Sequence, residues 1–211
     1  MSEAGGAVGF GGRLAAAAAR AGSLVCVGLD PDPARFPAPL RGERDAARAI
    51  VRFNAAIVEA TSDLVCAYKP NLGFYAAHGA AGIAALEETR RLIPPDVPAI
   101  LDCKVGDIGS TAEAYARGYF DRWGFDAVTV SPYLGADSLA PFLARDDRGV
   151  FVLCKTSNPG GGDLQDLTVR DGGGERPLHL AVADLAATWA TEAAATVGLV
   201  VGATYPAELA A

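Results

Sequence analysis

Leu101-Asp102-Cys103-Lys104-Val105-Gly106-Asp107-Ile108-Gly109-Ser110-Thr111 decides how the rest of the chain is read. The apolar run Val97-Pro98-Ala99-Ile100-Leu101 leads into it, and a helical pattern from Thr111 to Phe120 leads out. Its charged residues therefore fall where a strand ends and a loop begins. Strand side chains alternate between faces, so Asp102 and Lys104, two apart, are expected to point the same way. Asp107 follows three residues later, in the turn. Two acids around one lysine at a dry strand end are costly to assemble, and they make sense if the site handles a charged substrate. A surface ion-pair cluster is the plainer explanation for any one of these residues alone. The whole arrangement, followed by Gly-Ser-Thr at a helix start, favours a site.

Working outward, the same strand–loop–helix pattern recurs. Ser23–Leu29, Leu64–Tyr68, Asp126–Ser131, Gly149–Cys154 and Val197–Val201 read as further strands. Between them lie helical stretches at Arg13–Arg20, Asp45–Ala60, Gly79–Leu92, Asp137–Leu143 and Pro177–Thr196, with a last one starting at Pro206. Apolar residues at Ala46, Ala49, Ile50, Phe53, Ile57 and Val58 show the helical spacing in the second of these. Strands alternating with helices predict a parallel sheet, and nearly all-apolar strands predict that both its faces are covered. A doubly wound sheet and a barrel share this pattern. No GxGxxG follows the first strand and no GxxxxGK[ST] occurs, so nothing specific supports a nucleotide-binding doubly wound fold. Polar residues gather instead at the C-terminal ends of successive strands: Asp30, Lys69, Asp102 with Lys104, Ser131, and Lys155 with Ser157. That is the catalytic face of a (β/α)8 (TIM) barrel. Six strands are found where that fold has eight.

The 211 residues carry a formal net charge of -7, which argues mildly against nucleic acid as a partner but leaves room for a phosphorylated substrate in a local basic pocket. No apolar run reaches the ~20 residues of a membrane span. The Gly-rich residues 1–12 are expected to be disordered, to carry no secretion signal, and to precede one barrel domain over 13–211. Cys26, Cys66, Cys103 and Cys154 form no CxxC pair and each lies in an apolar run. They are expected to be small buried hydrophobes in a reducing, cytoplasmic setting. His78 and His179 have no ligand-like neighbours in sequence, and no metal site is expected.

Taken together, the strand ends resemble the orotidine 5'-phosphate decarboxylase family, in its longer bacterial type. The matching pieces are Val27-Gly28-Leu29-Asp30-Pro31, Ala67-Tyr68-Lys69-Pro70-Asn71, the Asp102-x-Lys104-x-x-Asp107 stretch with Ile108-Gly109-Ser110-Thr111-Ala112-Glu113, Lys155-Thr156-Ser157-Asn158-Pro159-Gly160, and Val200-Val201-Gly202-Ala203-Thr204. The resemblance runs from about Phe10 to the end of the chain. It implies decarboxylation of orotidine 5'-phosphate to uridine 5'-phosphate without cofactor or metal, a carbon–carbon lyase reaction of pyrimidine biosynthesis. It implies that Lys69, Asp102, Lys104 and Asp107 form a charged array. It further implies a homodimer in which Asp107, Ile108 and Thr111 reach the partner's site, with Asp30 holding the ribose and Ser157 reading the pyrimidine edge.

Two departures stand out. Val105 occupies a position where this type often carries arginine. The family's Pro-Gly-x-Gly-x-Gln-Gly-Gly stretch of strand seven and the phosphate-binding arginine of strand eight have no counterpart here, so the chain reads as truncated after its sixth strand. Plainer roles stay open for single residues. Asp30 suits a turn before Pro31, Lys69 a solvated strand end, Ser157 to Gly160 an ordinary turn, and Thr111 a helix cap. The Gly-rich segment 160–174 is expected as a solvated loop in preference to an active-site lid. Two other functions compete. One is a Mg-dependent sugar-phosphate decarboxylase or aldolase relative, which the Lys155–Gly160 stretch disfavours. The other is a catalytically silent barrel that binds nucleotide weakly or not at all.

Overall fold

The computed structural model describes residues 9–172 and 174–210. The chain divides into two compact units, Met1–Cys103 with Arg117–Val128, and Lys104–Ala116 with Thr129–Ala211. Among the described residues no helix is long and apolar enough to cross a membrane.

The first unit opens with helix α1 (Phe10–Ala21), which buries Phe10 and Ala17 and closes at Gly22, whose φ of 60° is the left-handed conformation that glycine adopts without a Cβ penalty. Phe10, Gly11 and Gly12 are thus helical, a correction to the expected disorder, while residues 1–8 lie outside the described residues. Strand β1 (Cys26–Leu29) runs parallel to β2 (Ala67–Pro70), with Cys26 opposite Ala67 and Leu29 opposite Pro70. Helix α2 (Ala46–Thr61) lies between them in sequence. The Asp45 carboxylate accepts from the Arg48 N–H at its start, and Ala49, Ile50, Asn54 and Val58 form its buried stripe. After β2 come the short α3 (Leu72–Ala76) and α4 (Gly79–Leu92), the latter with the bounds its sequence predicted. Isolated parallel bridges join Tyr68 to Ala99 and Asn71 to Asp102, so the start of β3 (Ile100–Val105) lies alongside β2, although the two strands belong to separate sheets. A π-helical turn at Arg117–Arg122 and the start of β4 (Ala127–Val130) complete the unit.

Behind these strand ends is a buried polar web. The Asn54 amide donates to the Tyr75 hydroxyl and to Thr89 Oγ1, each at 2.9 Å, and the Tyr75 hydroxyl donates to the Leu29 carbonyl at 3.0 Å. Burial pushes the Tyr75 hydroxyl above its ordinary range, so it remains a donor at any physiological pH.

In the second unit, the ends of β3 and β4 are followed in one sheet by β5 (Gly149–Lys155) and β8 (Thr196–Val201). Strands β5 and β8 are parallel, from Gly149 opposite Thr196 onward. Helices α5 (Gly109–Ala116) and α6 (Ala136–Leu143) follow β3 and β4. The stretch expected as an irregular Gly-rich loop holds instead a one-turn helix α7 (Gly162–Gln165) and an antiparallel hairpin, β6 (Thr168–Asp171) with β7 (Gly174–Pro177). An Arg170–Glu175 ion pair crosses the hairpin, and Arg176 pairs with Asp184 of the next helix, α8 (Leu178–Glu192). Helix α9 (Pro206–Ala210) follows β8. All six expected strands form, and the hairpin is a separate antiparallel two-stranded sheet that periodicity did not reveal. The expected burial of the cysteines holds for Cys66 and Cys154 but not for Cys26, which is exposed, or Cys103, which is half-buried.

Tight packing of α4 against the end of α3 gives a direct test. A Cβ built on Gly82 would lie 1.9 Å from the Tyr75 carbonyl oxygen, whereas one on Gly118 meets nothing within 4 Å. Gly82→Ala should lower stability in urea unfolding by roughly 1–3 kcal/mol, the usual cost of overpacking, and Gly118→Ala should leave it unchanged or slightly raised.

Candidate active site

Parallel pairing in register brings the ends of β1, β2 and β3 to one level. Leu29 faces Pro70, so the next residues, Asp30 and Asn71, leave their strands together, and Asn71 faces Asp102. Asp30 Oδ1 accepts from the Asn71 N–H at 3.2 Å. Lys69 Nζ donates to Asp102 Oδ2 at 3.1 Å, and Asn71 Nδ2 donates to the same oxygen at 3.3 Å. Asp102 is only 8 % exposed. A carboxylate so buried is tolerated only with an opposite charge and hydrogen bonds around it, and these partners supply both. The Lys69 side chain stays about one-third exposed, which leaves its ammonium in reach of a ligand. Asp30, Lys69 and Asp102 of the expected site thus form one group in the first unit, and Asn71, whose role the sequence did not suggest, is at its centre.

The second unit carries Lys104, Asp107, Ile108, Thr111 and Ser157. Lys104 takes φ +48°, the left-handed region, the only residue other than glycine to do so among the described residues. The backbone at Lys104 thus departs from regular strand geometry, although the residue lies within β3. Such a conformer is held at a cost of about 1–3 kcal/mol and is found where the surroundings over-determine it. Here the Lys104 N–H donates to Thr129 Oγ1 at 2.9 Å, a buried hydroxyl on β4. Asp107 Oδ1 accepts from the Ile108 N–H at 2.8 Å, and the Ile108 carbonyl accepts from the Thr111 N–H at 3.2 Å. The turn is wound tightly at the start of α5, and Ile108 is 59 % exposed.

Ser157 leaves the end of β5 exposed, on a firmly held loop. Gln165 brackets its neighbour Thr156: Oε1 accepts from the Thr156 N–H at 2.9 Å and Nε2 donates to Thr156 Oγ1 at 2.7 Å. The Gly202 N–H donates to the Lys155 carbonyl at 2.7 Å, and a Cβ on Gly202 would lie 3.0 Å from Ser157 Cβ, so the chain just after β8 passes this loop in close contact. Lys155 itself is buried, in an ion pair with Asp166 and 4.6 Å from the centre of the Tyr205 ring. His179 Nδ1 lies 2.9 Å from the Gln165 carbonyl and 3.4 Å from Asp166. Gln165 and Asp166 fall in the segment expected as loop, where no periodicity could have marked them.

The order of these strands and helices, with polar residues at the strand ends, defines an α/β chain of the (β/α)8 barrel class with six of the barrel's strands present. Residues 23–211 match the model of the "Orotidine 5'-phosphate decarboxylase / HUMPS family". The chain is 57% identical over 201 residues to an orotidine 5'-phosphate decarboxylase of Thermomicrobium roseum, covering 95% of this chain and 69% of that protein. It is 60% identical over 200 residues to one of Roseiflexus castenholzii, covering 93% and 70%. A solved structure of Leishmania donovani OMP decarboxylase superposes with a TM-score of 0.84 at 45% identity, covering 96% of this chain and 74% of that one. The chain belongs to the orotidine 5'-phosphate decarboxylase family.

The Lys155–Asp166 pair makes a prediction about pH. The hydrogen bond from Lys155, with its charge, holds the Asp166 carboxyl below its ordinary 3.8, and the same bond raises Lys155 above 10.5. A lowered carboxyl contributes stability above its unfolded value and loses it as pH falls through the folded one. A raised lysine contributes below its unfolded value and loses it as pH climbs past the folded one. Asp166→Asn should therefore be less stable than the wild type in urea at pH 7, and the deficit should shrink steadily below pH 3.8.

Proposed function

We propose that this chain catalyses decarboxylation of orotidine 5'-phosphate to uridine 5'-phosphate, with Lys104 as the group that stabilises and then protonates C6. What carries the reading is the Lys69–Asp102 pair, formed at 3.1 Å on adjacent strand ends two residues before Lys104, in a chain whose relatives at 57% and 60% identity are orotidine 5'-phosphate decarboxylases.

Loss of CO2 from C6 of the pyrimidine leaves a vinyl carbanion with little delocalisation. An ammonium beside C6 stabilises that developing charge and can deliver the proton that replaces CO2. Asp102, beside the substrate carboxylate, would repel it. Two unit charges ~4 Å apart at an effective dielectric of ~20 interact by about 4 kcal/mol, whereas enzymes lower barriers by roughly 8 to 23 kcal/mol. Repulsion is too small alone. Most of the effect must come from charges fixed in advance of the reaction: Lys69 holding Asp102, and Lys104 held at its backbone by Thr129. Asp30 takes the ribose hydroxyls and Ser157 the pyrimidine edge. Asp107, Ile108 and Thr111 are offered across a homodimer interface to the partner's site, a role that suits an isoleucine left exposed in a rigid turn. Four free thiols suit a cytoplasmic setting.

Decarboxylation followed by ultraviolet absorbance, without added metal, tests the reading on the purified chain. Lys104→Ala should lower turnover by at least ~10^3, because it removes both the cation and the proton donor. Near wild-type turnover in that variant would sink the mechanism. Mixing inactive Lys104→Ala and Asp107→Ala chains should restore about a quarter of wild-type activity, since each mixed dimer regains one intact site. A protein that sediments as a monomer while active would contradict the sharing of Asp107.

A further inference from the structure

We infer that Asn71 is a positioning residue that fixes both Asp102 and Asp30. The inference rests on the reading of Asp102, Lys69 and Asp30 as members of the decarboxylation site.

Asn71 makes three hydrogen bonds to three different pieces of structure. Its backbone N–H donates to Asp30 Oδ1 at 3.2 Å. Its side-chain oxygen accepts from the Gly73 N–H at 3.0 Å and so caps α3. Its side-chain Nδ2 donates to Asp102 Oδ2 at 3.3 Å. The amide cannot be turned round. A backbone N–H only donates and an ionised carboxylate only accepts, so the oxygen must face Gly73 and the nitrogen Asp102. The parallel register supplies the distances, because Asn71 lies directly opposite Asp102 and one residue beyond the Leu29–Pro70 pair that precedes Asp30.

The chemistry singles out asparagine. The position needs an acceptor on one side and a donor on the other, both within one carbon of the Cβ. Aspartate has no donor. Serine can cap a helix but is too short to span to the carboxylate as well. Glutamine places both groups one carbon too far. Lys69 supplies Asp102 with charge but reaches it from a long, part-exposed side chain with many rotamers. Asn71 is pinned at both ends, so it gives the carboxylate a direction that a lysine cannot. Two charged groups flank this arrangement in the first unit: Lys69 at 3.1 Å from Asp102, and Asp30 on the other side of Asn71.

Two variants separate positioning from simple support. Asn71→Asp keeps an oxygen for the α3 cap and the N–H for Asp30, but turns the group facing Asp102 from donor to acceptor. Asn71→Ser keeps a cap and adds no charge. The Asp102 carboxyl is followed by 13C NMR during a pH titration of the whole chain, with its signal assigned from an Asp102→Asn spectrum. Thermal midpoints and decarboxylation kinetics are measured alongside. The Asp102 midpoint should rise by about one unit or more in Asn71→Asp, where two carboxylates face each other, and by less in Asn71→Ser, where a donor is lost. Turnover should fall ~10-fold or more in Asn71→Asp while KM changes less than about 3-fold, with the thermal midpoint lower by only a few degrees, the share that the raised Asp102 midpoint itself accounts for. An Asp102 titration identical to the wild type in both variants overturns the inference, and so does a loss of turnover that only tracks a loss of folded protein. A wild-type chain with no activity on orotidine 5'-phosphate would overturn the proposed function instead, and the titration would still decide the role of Asn71.

Discussion

A carboxylate buried at the end of a strand must be neutralised where it sits, and the first unit is arranged around meeting that demand for Asp102. Alone, an ionised group at 8 % exposure is costly enough that it would shed its charge or open the structure. Lys69 and Asn71 prevent this only because β2 and β3 run parallel with Asn71 opposite Asp102. A slip of one residue would move Lys69 to the other face of the sheet and take its charge away from Asp102. The ion pair is thus poor evidence of extra stability but good evidence of specificity, since wrong registers bury a lone charge.

The register is itself supported from behind. The Tyr75 hydroxyl reaches from α3 to the carbonyl of Leu29, the last residue of β1, and Asn54 and Thr89 complete the web from α2 and α4. The web ties the strand end that precedes Asp30 to the helix that Asn71 caps. Stability and site geometry share these atoms, so packing changes far from any ligand would be felt at Asp30. Gly82 shows how little slack exists: its missing Cβ is the space the Tyr75 carbonyl occupies.

Much of this could be read from the sequence. Six apolar strands with polar ends, α4 to the residue, and the clustering of Asp30, Lys69 and Asp102 all follow from periodicity and from the tendency of barrel enzymes to place chemistry at strand ends. What could not be read had physical reasons. The left-handed backbone of Lys104 depends on a tertiary hydrogen bond to Thr129, which no local propensity encodes for a lysine. The hairpin after α7 lies in Gly-rich sequence with too few apolar positions to show a period. Asn71 stands in plain view after Lys69 and Pro70, yet its partners are 41 and 31 residues away in sequence, and only the register of three strands reveals them.

Lys104 brings the physical themes together. In the proposed mechanism a lysine beside an incipient carbanion is useful only if its ammonium is already placed when the charge appears, because reorganisation at that moment adds to the barrier. Lysine is a poor choice for rigidity, with four rotatable bonds and a strongly hydrated head. The structure offsets this from the backbone outward. A positive φ directs the Cα–Cβ bond along a path that regular strand geometry forbids, and the Thr129 hydroxyl fixes that conformer through the N–H. Thr129 is buried on β4, so water does not compete for that hydrogen bond. The strain at Lys104 therefore restricts the origin of its side chain, just as the pinned amide of Asn71 restricts Asp102. Placing the strained residue one step before the end of β3, where core packing still holds the backbone, lets the sheet bear a cost that a free loop would relax away.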